Sequence, residues 1–223
     1  MSEDIHDADK TRETVLSPVD RVSEMLFGLF MALTFVGAVS VAESREAQVR
    51  TLFITALGCN LAWGLVDAVM YLVRTVTDRG RLLTLIRSVR EAPDAEAGRR
   101  LIGGALSQTA ASLVSAAEIE AMRVRVVALA SLPPRPRLNR NDLIAALAIF
   151  LIVVASTFPV VLPFMMFEDV ATAKNVSRAV ALAMLFFGGL ALGRYAGYGS
   201  WRVGFLMAGL GTALVVAINA LGG

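Results

Sequence analysis

Histidine occurs once in this chain, at His6, and cysteine once, at Cys59. A disulfide framework needs paired cysteines, and a Cys- or His-ligated metal centre needs several such ligands, so both are excluded. The sequence also has no Walker A loop, no G-x-S-x-G elbow and no H-E-x-x-H helix. The marks of ATP hydrolysis, acyl transfer and zinc peptidase chemistry are therefore missing, and the chain reads as a non-enzyme with no permanently bound cofactor and no nucleic-acid partner. The opening MSEDIHDADKTRE is acidic, with neither a basic n-region nor a small-residue cleavage site. It reads as a cytoplasmic tail over 1–21, not as a signal peptide.

Charge is scarce too, at 18% of residues, while 56% are hydrophobic and the mean hydropathy is +0.65. Soluble domains run nearer 45–50% apolar. Five apolar runs, at 22–42, 51–73, 143–167, 177–195 and 203–221, are each near the roughly 20 helical residues that cross a bilayer. They are continuous, not alternating, which selects helices over a closed barrel. The expected fold is an all-α membrane protein: five transmembrane helices with a helical cytoplasmic insertion between helices 2 and 3. The expected layout is a tail (1–21), helices 1 and 2 (22–73), the insertion with its linker (74–142), and helices 3 to 5 (143–223).

The segment 74–142 holds 12 Arg against 7 Asp or Glu, whereas 43–50 and 168–178 each carry two charges of either sign. Arginine excess marks the cytoplasmic side. The expected placement is a bacterial inner membrane, with the N-terminus cytoplasmic and the C-terminus on the outer side. Within the insertion, Ser115 followed by Glu118 is a capping-box pattern. Residues 92–104 make a weaker helix because of Gly98, Gly103 and Gly104. LPPRPRLNRND, from Leu132, reads as a linker. Pro159 and Pro163 bend the third span. Gly189, Gly193 and Gly197, with Gly204, Ala208 and Thr212, have the small-residue spacing of close helix packing.

Acids inside the apolar runs are the features that ask for chemistry. GCNLAWGLVDAVMYLVR, from Gly58, places Asp67 where a carboxylate is costly. Asn60, Gly64, Asp67 and Tyr71 share one helical stripe, with Met70 beside it. Glu24 opens the first run. Should helices 1 and 2 pack together, Glu24 and Asp67, with Asn60 and Met70 as accessory amide and thioether ligands, make a donor set suited to Fe²⁺ or Mn²⁺. Two carboxylates in one site also compete for a proton, which gives proton coupling. Alternatives stand beside this reading: Glu24 belongs to a solvated helix start with Asp20 and Arg21, and Asp67 locks the bundle against Arg74 or another arginine.

VSEMLFGLFMALTFVGAVSVA from Val22, GCNLAWGLVDAVMYLVRTVTD from Gly58 and the glycine-rich stretch from Gly193 to Gly223 together resemble the vacuolar iron transporter family of divalent-metal/proton exchangers. The resemblance implies a homodimer in the lipid bilayer that exports Fe²⁺ or Mn²⁺ from the cytoplasm by proton antiport, with Glu24 in the acidic position of helix 1. Asn60 stands where the family carries a glutamate, and the insertion is arginine-rich where iron-transporting members are glutamate-rich. A different class of function uses the insertion instead. In that reading Arg79, Arg81, Arg87, Arg90, Arg99 and Arg100 bind a partner or anionic lipid, and the protein is a membrane scaffold or regulator.

Overall fold

The structure, a computed structural model, describes residues 16–38, 45–197 and 199–220. The tail before residue 16, and residues 39–42 of the first predicted span, lie outside the described residues. Every regular element among those described is a helix: α1 (Pro18–Ala38), α2 (Arg45–Arg90), α3 (Ala95–Ala105), α4 (Gln108–Leu113), α5 (Ala116–Val127), α6 (Arg140–Val161), α7 (Pro163–Met166), α8 (Val170–Ala196) and α9 (Ser200–Ala220). Four stretches are long and apolar enough to cross a membrane: Ile54–Arg90, Arg140–Met166, Val170–Tyr195 and Ser200–Ala220. The chain divides into two compact units, one of Met1–Met70 with Asn141–Gly223 and one of Tyr71–Arg140.

In the first unit, α1 packs on α8 and α9, α8 packs on α9, and α7 packs on α8. Leu29, Leu33 and Val36 of α1 meet Leu185 and Ala181 of α8 in the core. Glycine sets the α8–α9 contact. A Cβ at Gly189 would stand 2.7 Å from the Val203 carbonyl and 2.8 Å from Gly204 Cα, and one at Gly193 would stand 2.9 Å from Ser200 Cα. The sequence spacing finds these positions but misplaces both ends of the stripe. Gly197 leaves the helix as a left-handed cap at φ 73°, a backbone that glycine adopts at little cost. On α9, Gly211 and not Thr212 meets Leu182 and Leu185, because the 3.6-residue period drifts off a strict four-residue spacing.

The two prolines behave differently. Pro159 stays inside α6. Pro163 opens α7 at its first turn, where a missing N–H costs nothing.

The second unit, Tyr71–Arg140, is helical well beyond the expected loop start. Helix α2 continues past Val73 to Arg90, since nothing over 74–90 breaks it except a single glycine, Gly80. The Ser115–Glu118 capping box forms as its spacing predicts. The glycine-weakened stretch also folds as a helix, α3, and two things offset its glycines. Asp94 caps its start by accepting from Ala97 N at 2.7 Å. Gly98 lets α5 approach, since a Cβ there would meet Arg123 Cδ at 2.9 Å.

An ion cluster joins α3 to α5. Glu120 accepts from Arg123 at 2.6 Å and from Arg99 at 3.1 Å, and Arg99 also holds Glu96 at 2.6 Å. The Arg123 hydrogen bond first, and that of Arg99 with it, holds the Glu120 carboxyl down at about 2. The Ser115 N–H and hydroxyl lower Glu118 as well. Carboxyls depressed on folding stabilise the fold above their unfolded value of about 4.3, and the contribution disappears as pH falls through the folded value. Amide protection across residues 95–127, corrected for intrinsic exchange, is therefore expected to be flat above pH 5 and to fall between about pH 4.3 and 2. Glu120→Gln should remove most of that slope.

Candidate functional site

Asn60 of α2, Thr157 of α6 and Ser177 of α8 are fully buried polar side chains. The Asn60 amide donates to the Thr157 hydroxyl and to the Gly28 carbonyl of α1, the latter at 3.5 Å. Its Oδ1 has no hydrogen-bond partner among the described residues. Small residues make the meeting possible. A Cβ at Gly28 would lie 2.8 Å from the Val153 carbonyl of α6, and one at Gly64 would lie 3.2 Å from the Phe150 carbonyl. Asn60 is thus a polar tie between α1, α2 and α6, a buried amide held by a hydroxyl and a backbone carbonyl.

Two contacts place α1 beside α2. The Gly28 carbonyl accepts from Asn60, and the Phe27 ring meets Trp63 edge-on at 6.2 Å. Glu24 lies one turn before Gly28 on the same face, and Asp67 lies two turns after Asn60 on its face. The small residues on those two faces, Gly28 and Gly64, both turn toward α6, at Ser156 and Val153 and at Phe150 and Val153. Glu24 and Asp67 are both partly buried, and Asp67 Oδ2 is closed off from the surface.

Asp20 and Arg21 separate from Glu24. Ser17 N–H and hydroxyl donate to Asp20 Oδ2 at 3.2 and 2.6 Å, and Asp20 N–H returns a bond to Ser17 Oγ at 3.1 Å. Arg21 donates twice to the Leu16 carbonyl. These two residues make the helix start that the sequence offers as an alternative.

The accessory ligands fall elsewhere. Asn60 is seven residues from Asp67, roughly 10 Å along the axis, whereas a metal–oxygen bond spans about 2.0–2.6 Å. One ion does not bind both at once, so they mark two levels. Met70 is 49% exposed and lies on the outer arc of α2 with Val66 and Val69. Among the described residues no three or more Asp, Glu, His or Cys converge as a metal cage.

Three of the six arginines singled out in the sequence, Arg79, Arg87 and Arg99, are engaged within the second unit. Arg79 donates to the Arg137 carbonyl at 2.8 Å, and Arg87 donates to the carbonyls of Pro133 and Pro134 at 3.0 and 2.8 Å. Arg99 sits in the ion cluster. Arg81, Arg90 and Arg100 are exposed.

Thr157, Ser156 and Gly28 escape sequence reasoning as site residues. Thr157 sits in a stretch that reads as a proline kink, and Gly28 in one that reads as ordinary span. The available signal was Asn60, whose amide must find partners on neighbouring helices. Compared with known proteins, the chain matches no family model and no curated sequence. What the fold defines is a class: a protein whose regular elements among the described residues are all helices, four of them long and apolar enough to cross a membrane.

Proposed function

We propose that this chain is an integral membrane transporter that exports a divalent cation, Fe²⁺ or Mn²⁺, from the cytoplasm in exchange for protons. Glu24 and Asp67 form the shared metal and proton site. In this reading α1 is a fifth span, the N-terminus is cytoplasmic, the C-terminus lies outside a bacterial inner membrane, and two copies pair. The metal is cargo, not a resident cofactor.

The observation that supports the reading is that two partly buried acids, Glu24 and Asp67, stand on α1 and α2, helices joined by the Gly28–Asn60 and Phe27–Trp63 contacts. A carboxylate in a span is costly unless paired or functional, and two in one site hold a proton until a cation displaces it. The pair supplies hard oxygen ligands suited to a small divalent ion. Asn60 and Thr157, two turns farther along, supply a polar step on the same path. The apolar outer arc of α2, with Leu61, Leu65 and Val69 exposed, is a surface for lipid or for the second copy. The scaffold reading is weaker, because Arg79, Arg87 and Arg99 are engaged within their own unit.

Purified protein in liposomes, with a metal-sensing dye inside and a pH dye reporting the lumen, tests the proposal. Mn²⁺ or Fe²⁺ should cross only with protein present, while the lumen pH moves in the sense of proton counterflow. Folded protein that passes neither ion at any imposed pH gradient contradicts it.

A further inference from the structure

Threonine hydroxyls on these helices share a habit. Those of Thr75, Thr77, Thr84 and Thr212 each donate to the carbonyl four residues back, at 2.8–2.9 Å. Thr157 of α6 breaks it. The carbonyl four residues before Thr157 is that of Val153, and it already accepts the Ser156 hydroxyl at 2.7 Å. With the helix N–H that bonds there as well, both lone pairs are taken. The Thr157 oxygen accepts from the Asn60 amide. Its hydroxyl proton is left with no acceptor among the described residues.

Asn60 mirrors this from α2. Its NH₂ edge donates to Thr157 and to the Gly28 carbonyl. A carbonyl only accepts, so the Gly28 contact fixes which edge of the amide faces α1. Oδ1 lies on the other edge, sealed from the surface and without a donor among the described residues. One fully buried pair therefore carries an orphan donor and an orphan acceptor, and leaving either dry is costly. The two do not satisfy each other. A hydroxyl that accepts from an amide N–H and donates to the same amide's oxygen closes a ring too tight for good hydrogen-bond angles.

This complementarity selects the ligand. A cation suits the Asn60 oxygen and is repelled by the Thr157 proton, and an anion does the reverse. The occupant must accept one hydrogen bond and donate another. Asn60 and Thr157 are both 0% exposed, so it must also be small. We infer that Asn60 and Thr157 hold a single water molecule, which accepts from the Thr157 hydroxyl and donates to Asn60 Oδ1. Two to four polar partners are what an internal water needs. Ala56 and Gly64, one turn to either side of Asn60 on the same face of α2, are small and leave the amide clear along its own helix. The circuit then closes from Asn60 N–H to the Thr157 oxygen, from the Thr157 hydroxyl to water, and from water back to the Asn60 oxygen. A water there is a stepping point for a proton, while the pair offers a divalent cation no anionic ligand. The site stands on these two residues and does not depend on transport.

Solid-state NMR of the isotope-labelled full chain, in bilayers with deuterated acyl chains, tests it. Polarisation starts on water protons and is read at assigned side chains. Asn60 and Thr157 should receive it although neither touches solvent. Asn175, which is exposed, is the positive control. Ser177 is the negative one: it is as buried as Asn60, and its hydroxyl donates directly to the Val160 carbonyl. Thr157→Val keeps the shape, deletes the hydroxyl and should abolish transfer to Asn60. Asn60→Leu should abolish it at Thr157, and Ser177→Ala should change neither. Unchanged backbone shifts in α2 and α6 certify each fold, and the wild-type comparison decides alone should a variant misfold. Asn60 and Thr157 that stay dark while Asn175 responds overturn the proposal, as does transfer to Asn60 that survives Thr157→Val. Equal transfer at Ser177 also overturns it, because that is general solvent leakage and not a held water.

Discussion

Asp67→Asn is expected to reduce metal flux at least about a hundredfold while the protein folds and inserts normally. A neutral amide offers the cation no charge, so the variant site keeps only one of its two carboxylate ligands. Asn is close in size to Asp, so packing around Ala68 and Gly64 is preserved. Asp67→Glu keeps the charge and moves it by one methylene, and should retain part of the flux. Glu24→Gln should match Asp67→Asn, and the double variant should be no worse than either, since the two act as one site. If Asp67 instead only locks the bundle, Asp67→Asn lowers the melting temperature and leaves flux per folded molecule intact. Flux and thermal stability measured on the same preparations separate the two.

Gly189→Leu is expected to disrupt the α8–α9 hairpin. A Cβ at Gly189 already meets backbone, at the Val203 carbonyl and Gly204 Cα, and backbone cannot rotate away as a side chain can. The helices must separate, which costs about 3 kcal/mol by overpacking and roughly 6–12 °C in melting temperature at this chain length. The control is Gly209→Leu on α9, where nothing lies within 4 Å of the Cβ position. It should melt within about 1–2 °C of wild type. Equal effects at the two positions would contradict the packing account.

How much of this was legible beforehand differs from element to element. Helical class and the four membrane-length stretches follow from continuous apolar runs, since hydropathy is additive along the chain. The Ser115–Glu118 box follows because it is local. The extension of α2 to Arg90 was hidden, because a polar helix and a polar loop carry the same composition at 74–90 until the packing of Leu83 and Val89 is known. Helix α3 was hidden for a related reason: its glycines cost helix propensity, and the compensation comes from Arg123 and Glu120 more than twenty residues away. At the site, Glu24 and Asp67 were visible as misplaced charges. The contact between the helices that carry them was not, because it depends on the Gly28–Asn60 and Phe27–Trp63 pairs. Asn60 was visible as a polar residue but was assigned to the wrong level, since a shared helical stripe fixes a face and leaves two turns of axial separation.

The central claim is the proposal that Glu24 and Asp67 form one site between the neighbouring helices α1 and α2. The most direct measurement is thiol cross-linking in a Cys59→Ser background, where no native cysteine remains. Glu24→Cys with Asp67→Cys is treated with a short bifunctional thiol reagent in membranes and read by intact mass. Phe27→Cys with Trp63→Cys, a pair already in ring contact, is the positive control, and Glu24→Cys with Val69→Cys, on the outer arc of α2, is the negative one. The account predicts an intramolecular link for the 24/67 pair at a rate close to that of 27/63, and none for 24/69. A 27/63 pair that links while 24/67 does not would contradict it.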